Sequence, residues 1–323
     1  MPEATARPAM ISRPNSWALL SRNRAALFSL YALLLLALVA VVVPLLLPAE
    51  LKTTSDGQFL PPLTGMHLLG TDLNGQDLFY RLLGGARVSL GIGLAGAFIS
   101  LVIGTLYGMI SGYAGGKVDG LMMRVVEVLY SVPRILFIMI LIAALDDHVK
   151  GWLDAARLTA QESGWGSLES LMSDLIPYSR MLVMVLSLGL VEWLTMARIV
   201  RGQVLVLREM TFVTAARAMG QGSWGVLWRH LLPNLSTLIL TYLTLTIPAV
   251  ILDESFLSFL GLGIEDPAAS WGSLLKDGAQ VINPIDSKWW LLLFPALCMS
   301  LSLLALNYLG DGLRDAFDPK SGE

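Results

Sequence analysis

Adjacent carboxylates at Asp253 and Glu254 close an apolar run, Leu235 to Leu252, and are candidates for acid–base work. Neighbours on a helix point about 100° apart, so the two cannot flank one scissile bond. Carboxylates at that depth are costly against lipid and should face a protein interior or an aqueous path. The reading is a lining or bracing role on a path, with structural hydrogen bonding as its alternative. Asp72, Asn74 and Asp77 are oxygen donors that a calcium ion would accept. No acid stands at the twelfth position of an EF-hand loop, and Gly70, Asp72, Gly75 and Asp77 read as turn and helix-capping chemistry instead. Gly91, Gly93 and Gly96 make a formal G-x-G-x-x-G, but no strand precedes it and the surroundings are apolar, so close packing wins over nucleotide binding. His67, His148 and His230 are scattered and supply no metal cluster or nucleophile–base pair. Cys298 lies in an apolar run as a small core residue with no cysteine to pair with. No G-x-x-x-x-G-K-[ST] run exists, so the chain hydrolyses no ATP by that route.

A polar, basic run between two long apolar segments, 198 to 234, holds five Arg against one acid, Glu209. Thr214-Ala215-Ala216, then Gly220, then Leu232-Pro233-Asn234 mark a helix, a turn and a second helix stopped by proline. Ala215, Ala216, Ala218, Gly220 and Gly222 allow close backbone approach, and Val213, Met219, Trp224, Leu227 and Trp228 offer apolar anchors. The run therefore reads as a rigid knob outside the bilayer, where the bland alternative is an amphipathic connector.

The elements that must hold these residues are helices in a membrane. The 323 residues are 55% hydrophobic and 15% charged, with a mean hydropathy of +0.66, too much apolar surface for a soluble domain to hide. A net charge of -3 without a basic cluster interleaved with aromatics gives no sign of nucleic acid. Ala25 to Leu47 is an uncharged run long enough to span and reads as a retained anchor. Five more spans are predicted: Leu90 to Ile110, Val128 to Leu145, Met181 to Ala197, Leu235 to Leu252, and Trp289 to Leu309. Lys and Arg total 14 in the segments on the side of both termini and 8 on the other, which makes the termini and 198–234 cytoplasmic. Pro133 and Arg134 interrupt the third span. Its helix is predicted to begin near Val118, with Arg124 and Glu127 able to pair, and with Arg134 either snorkelling or lining a wet cavity. In the second span Gly96, Ser100, Gly104, Gly108 and Gly112, and Gly116 beyond them, recur every four residues and stack small side chains on one stripe. The outer connection 146–180 reads as one or two amphipathic surface helices.

The polar run resembles the "EAA" loop of ABC importer membrane subunits: E-A-A, three residues, Gly, nine residues, then I-x-L-P. Ala215, Ala216, Gly220, Leu232 and Pro233 fall in that register, while Thr214 stands where the family has Glu and His230 where it often has Ile. GTDLNGQDLFYRLLGGARVSL, GMISGYAGGKVDGLMMRVVEVL, ESFLSFLGLG and NYLGDGLRDAFDPK extend the likeness from Gly70 to Lys320. The whole looks like the C-type membrane subunit of oligopeptide and dipeptide ABC importers. The resemblance implies an all-α polytopic protein of the type I ABC importer permease fold, with six transmembrane helices and a cytoplasmic coupling helix between the fourth and fifth spans. The implied organisation is a cytoplasmic segment 1–24, an anchor 25–47, an extracytoplasmic segment 48–87, a transmembrane domain 88–310 and a cytoplasmic tail 311–323.

The coupling role is carried over onto Thr214, Ala215, Ala216, Gly220, Leu232, Pro233 and Asn234. The implied partners are a B-type permease subunit, two cytoplasmic ATPase subunits that bind the ATP and Mg, an extracytoplasmic peptide-binding protein, and inner-membrane lipid. No cofactor or metal is expected in this chain. Import of nickel or of peptide-like antibiotics by the same architecture is the alternative. A proton-coupled secondary transporter would want ionisable residues at mid-membrane and a repeat of spans. Only Glu192 is a candidate, near the cytoplasmic end of the predicted fourth span.

Overall fold

The computed structural model describes residues 21, 23–48, 51, 57–264, 268–283 and 286–317, so most of segment 1–24 and the end of the tail lie outside the described residues. The uncharged first run forms α1, Arg24–Leu46, capped by the Asn23 side chain, which accepts from the Ala26 N–H. Helix α2, Leu78–Ala114, is 37 residues long and starts well before the predicted Leu90. Asp77 caps it by accepting from the Tyr80 N–H at 2.8 Å, and Gly115, at φ +64°, ends it.

The stripe on α2 faces α6, Ser179–Leu207. A Cβ on Gly104 would fall 2.5 Å from the Met196 Cβ, one on Gly108 2.5 Å from the Ala197 carbonyl oxygen, and one on Gly112 2.9 Å from the Arg201 carbonyl oxygen. These glycines therefore admit α6 almost backbone to backbone. Gly116 leaves the stripe, because the chain turns at Gly115 before α3 begins.

The third crossing is not one helix. Helix α3, Gly116–Tyr130, and α4, Arg134–Glu162, meet at 91° across Ser131-Val132-Pro133. Pro133 cannot donate to the preceding turn and keeps Val132 out of the helical region. Arg124 and Glu127 are both exposed, and among the described residues no ion pair joins them. Helix α4 runs straight through the first half of the 146–180 segment, which is thus no separate surface helix. Helix α5, Gly166–Leu175, and a 3₁₀ turn, Ile176–Tyr178, then lead into α6.

After α6 come α7, Thr211–Ala218, and α8, Ser223–Val226; a π turn, Leu227–Leu231, continues α8 into α9, Leu232–Phe259. Pro233, expected to stop the second helix, sits instead in the first turn of α9, where a missing N–H costs little. Helices α10, Trp271–Gln280, and α11, Trp290–Phe317, complete the order. Among the described residues, five helices are long and apolar enough to cross a membrane, and the bent α3–α4 pair makes up to six. Ala26 at the start of α1 packs with Leu313 and Ala316 at the end of α11, so both ends of the bundle lie on one face. Met109 and Tyr113 near the end of α2 share a core with Val213, Ala216, Val226 and Leu227. Ala40 of α1 packs with Leu78 and Leu82 at the opposite end of α2, which puts α7 and α8 on the face of the two chain ends.

Arginines clamp that face. Arg201 reaches Asp119 of α3 with Nε and Nη2, both at 2.6 Å, and the Ser111 hydroxyl donates to the same carboxylate at 2.6 Å. Arg208 donates to the Gly112 carbonyl at 2.9 Å, Arg198 lies 3.8 Å from the Tyr130 ring centre, and Arg217 lies 4.8 Å from that of Tyr113. The hydrogen bond from Arg201 holds the Asp119 carboxyl below its ordinary range, against burial that pushes it up.

Two outcomes follow. Gly108→Ala should lower the thermal midpoint of the purified protein in detergent by several degrees, a cost of about 1–3 kcal/mol. Gly91→Ala, whose added Cβ meets nothing within 4 Å, should leave or raise it. Equal shifts would contradict the tight α2–α6 seat. A depressed folded-state pKa stabilises above the unfolded value of about 3.9 and is lost as pH falls through the folded one. Asp119→Asn should therefore cost about 1–3 kcal/mol at pH 7, with the gap to wild type narrowing below about pH 4 in a melting series.

Candidate functional site

Two groups of residues outside ordinary packing stand out. The first is the knob of α7 and α8. Its turn is built by the backbone: the Gly220 N–H donates to the Arg217 carbonyl at 2.9 Å and the Gln221 N–H to the Ala216 carbonyl at 3.1 Å. Gly220 holds φ +82°, so this is a Schellman closure that needs glycine. Gln221 Oε1 and His230 Nε2, 2.7 Å apart, tie the turn to the π segment.

The knob has two faces. Val213, Ala216, Val226 and Leu227 are buried against α2 and α6, whereas Thr214, Ala215, Met219, Gly220, Trp224, Trp228, Pro233 and Asn234 are exposed. Of the predicted anchors, Val213 and Leu227 hold the knob to its own bundle, and Met219, Trp224 and Trp228 point away from it. Ala216 belongs to the inner seat. The Thr214 hydroxyl donates to the Met210 carbonyl at 3.2 Å, a bond within its own helix. Leu232 is half-buried at the junction with α9, and the Asn234 amide donates back to the His230 carbonyl at 2.7 Å. An exposed aromatic and thioether face on a rigid base is a surface for another protein.

The second group lies inside the bundle, where Asp253 and Glu254 part company. Glu254 is fully buried and accepts from the Ser89 hydroxyl at 3.0 Å and the Ser258 hydroxyl at 2.7 Å. Ser89 in turn accepts from the Trp271 N–H at 3.1 Å, so Glu254 joins α2, α9 and the start of α10. Asp253 turns the other way and pairs with Arg134 at the first turn of α4, and the same guanidinium pairs with Glu192 of α6. A cavity of about 260 Å³ opens beside Arg134 and Glu192, lined also by Tyr130, Pro133, Phe137 and Thr195. Glu192 is near the middle of α6, not near its end, because that helix runs ten residues beyond the predicted Ala197 to Leu207.

Sequence reasoning raised Arg134 as a cavity residue but did not join it to Glu192 and Asp253. The available signal was charge set in or beside apolar runs: Arg134, Glu192, and Asp253 next to Glu254. The proposed oxygen donors Asp72 and Asp77 are otherwise engaged: Asp72 accepts from the Asn74 and Gln76 N–H groups, both at 2.8 Å, and pairs with Arg81, while Asp77 caps α2 and bonds His67 at 2.9 Å.

Comparison with known proteins gives concordant matches. The family model for the binding-protein-dependent transport system inner membrane component matches residues 104–322, and that for the N-terminal TM domain of oligopeptide transport permease C matches residues 15–62. The dipeptide transport system permease protein DppC of Bacillus subtilis is 38% identical over 98% of this chain and 89% of its own length. The oligopeptide transport system permease proteins OppC of Haemophilus influenzae and of Escherichia coli are each 40% identical, over 93% and 92% of this chain and 86% and 88% of their own lengths. With helices throughout, a bent third crossing and matches over nearly its whole length, the chain belongs to the family of binding-protein-dependent transport system inner membrane components, as a multi-pass permease.

Proposed function

We propose that this chain is one of two membrane subunits of an ATP-driven peptide importer, and that an ATPase subunit grips it at the exposed face of α7 and α8. The observation that carries this reading is the two-faced knob: Met219, Trp224 and Trp228 are exposed on a base that Val213, Ala216, Leu227 and the arginine clamps hold rigid. The relatives named as oligopeptide and dipeptide permeases support the substrate. The basic bias of this face supports a cytoplasmic position for it and for both termini. The other partners are a B-type permease, which completes the path, a second ATPase subunit, and an extracytoplasmic binding protein that delivers peptide. ATP and Mg belong to the ATPase pair.

The geometry supplies a transmission route. Because α8 passes through the π turn into α9 without a break, a push on Trp224 or Trp228 is a push on the end of a 37-residue rod, Ser223–Phe259. That rod carries Asp253 and Glu254 near its far end. Rigid-body displacement of this kind is what alternating access requires. Thr214 contributes no charge to the grip, which leaves apolar contact to hold it.

Trp224→Ala should leave the protein folded and in the membrane, yet lower binding-protein-stimulated ATP hydrolysis by the reconstituted complex by about 10- to 30-fold, the scale of losing one hot-spot contact. Undiminished stimulation would remove the coupling assignment. Uptake of labelled peptide, nickel and a peptide-like antibiotic by the same proteoliposomes separates the substrate readings; nickel uptake alone would overturn the peptide one.

A further inference from the structure

Three charges brought together between the helices of a membrane bundle need a reason, since each is expensive there. Arg134, Glu192 and Asp253 come from three different helices, and Glu192 stands thirteen residues from one end of α6 and fifteen from the other. Beside it the third crossing is broken, with Ser131-Val132-Pro133 irregular and α4 setting off at 91°. Irregular backbone at membrane depth is stable only inside protein or along a watery cavity, and broken helices at mid-membrane are where transporters build binding sites. Here the break opens onto the 260 Å³ cavity, and Arg134 at its mouth is 43% exposed while Glu192 and Asp253 are at 10% and 17%.

The charges do not balance. One guanidinium serves two carboxylates, so with both ionised the trio carries one excess negative charge in a setting where an unmatched charge costs several kcal/mol. The remaining ligands it would accept are cations. A purely structural trio would more cheaply hold one acid and one base, or none. Elsewhere in the bundle a lone buried acid, Glu254, is satisfied by serine hydroxyls, and neither Glu192 nor Asp253 has such a cage.

We propose that Arg134, Glu192 and Asp253 form a site within the helix bundle for the α-ammonium group of the peptide in transit. The two carboxylates take the incoming cation, and Arg134 holds them in place between transport cycles. This rests on the peptide reading above. It adds that the membrane path itself selects for a free amino terminus. Asp253 lies on the rod that begins at the knob, so displacement of α9 would separate it from Arg134 and Glu192 and release the ammonium.

The test uses the complete importer in proteoliposomes and measures ATP-dependent initial uptake of one tripeptide with a free and with an acetylated amino terminus. The readout is the ratio of the two rates, so differences in the amount of active complex cancel. Wild type should favour the free peptide at least 10-fold. Asp253→Asn and Glu192→Gln should each bring the ratio close to one, mainly by slowing the free peptide, and Asp253→Glu should restore much of it. A variant ratio equal to wild type would overturn the site, as would a wild type with no preference. Loss of the co-purifying second permease in Asp253→Asn would overturn it in another way, by showing that the trio seals a subunit contact. If wild type moves neither peptide, the peptide reading itself fails, which the ratio in a working importer cannot mimic.

Discussion

Everything in this bundle depends on how closely α6 can approach α2. Gly104, Gly108 and Gly112 leave no room for even a methyl group between the helices, so the seat is defined sterically. In lipid, where helices gain nothing from hiding apolar surface from one another, such packing supplies much of the attraction. The consequence reaches both working parts. At one end it brings Arg201 and Arg208 within reach of Asp119 and the Gly112 carbonyl, and so ties the start of the knob to the α2–α3 corner. Further along it sets the depth of Glu192 and brings that carboxylate to the break in the third crossing.

The arginines show how one property serves two ends. In the proposed topology their number orients the chain in the membrane, and four of the five in 198–234 are spent on specific partners: an aspartate, a backbone carbonyl and two tyrosine rings. A knob so tied does not swing by itself. In the proposed coupling, motion imposed on its exposed aromatic face would pass into α9 through the π turn, a feature that often marks functional positions in helices. The carboxylates near the far end of α9 then divide the work. Glu254 is locked among serines and braces α2 and α10, while Asp253 pairs with Arg134, which lines the cavity together with Glu192.

Much of the architecture was legible in the residues. Uncharged apolar length marks α1, the fifth crossing and α11, and the spacing of Gly96 to Gly112 marks the face that α2 turns to a neighbour. What misled was punctuation. Pro233 reads as a stop, but at the first turn of a helix a proline is tolerated, and only the course of the preceding π turn reveals that α8 and α9 are continuous. Pro133 was visible as an interruption, yet its 91° bend is a tertiary outcome. Likewise the inward orientation of Ala216 and the meeting of Arg134, Glu192 and Asp253 involve residues far apart in the chain, which no local pattern records.

The most direct test of the account is chemical access to Ala215, which is exposed on the knob, against Ala216, which is buried one residue away. Each is replaced by cysteine in turn, in a background where Cys298 is changed to Ser. The account predicts that A215C reacts with a membrane-impermeant thiol reagent only from the cytoplasmic side, cross-links to an ATPase subunit, and is shielded when that subunit is bound, while A216C stays unreactive. Labelling of A215C from the outside of intact cells, or equal labelling with and without the ATPase, would contradict it.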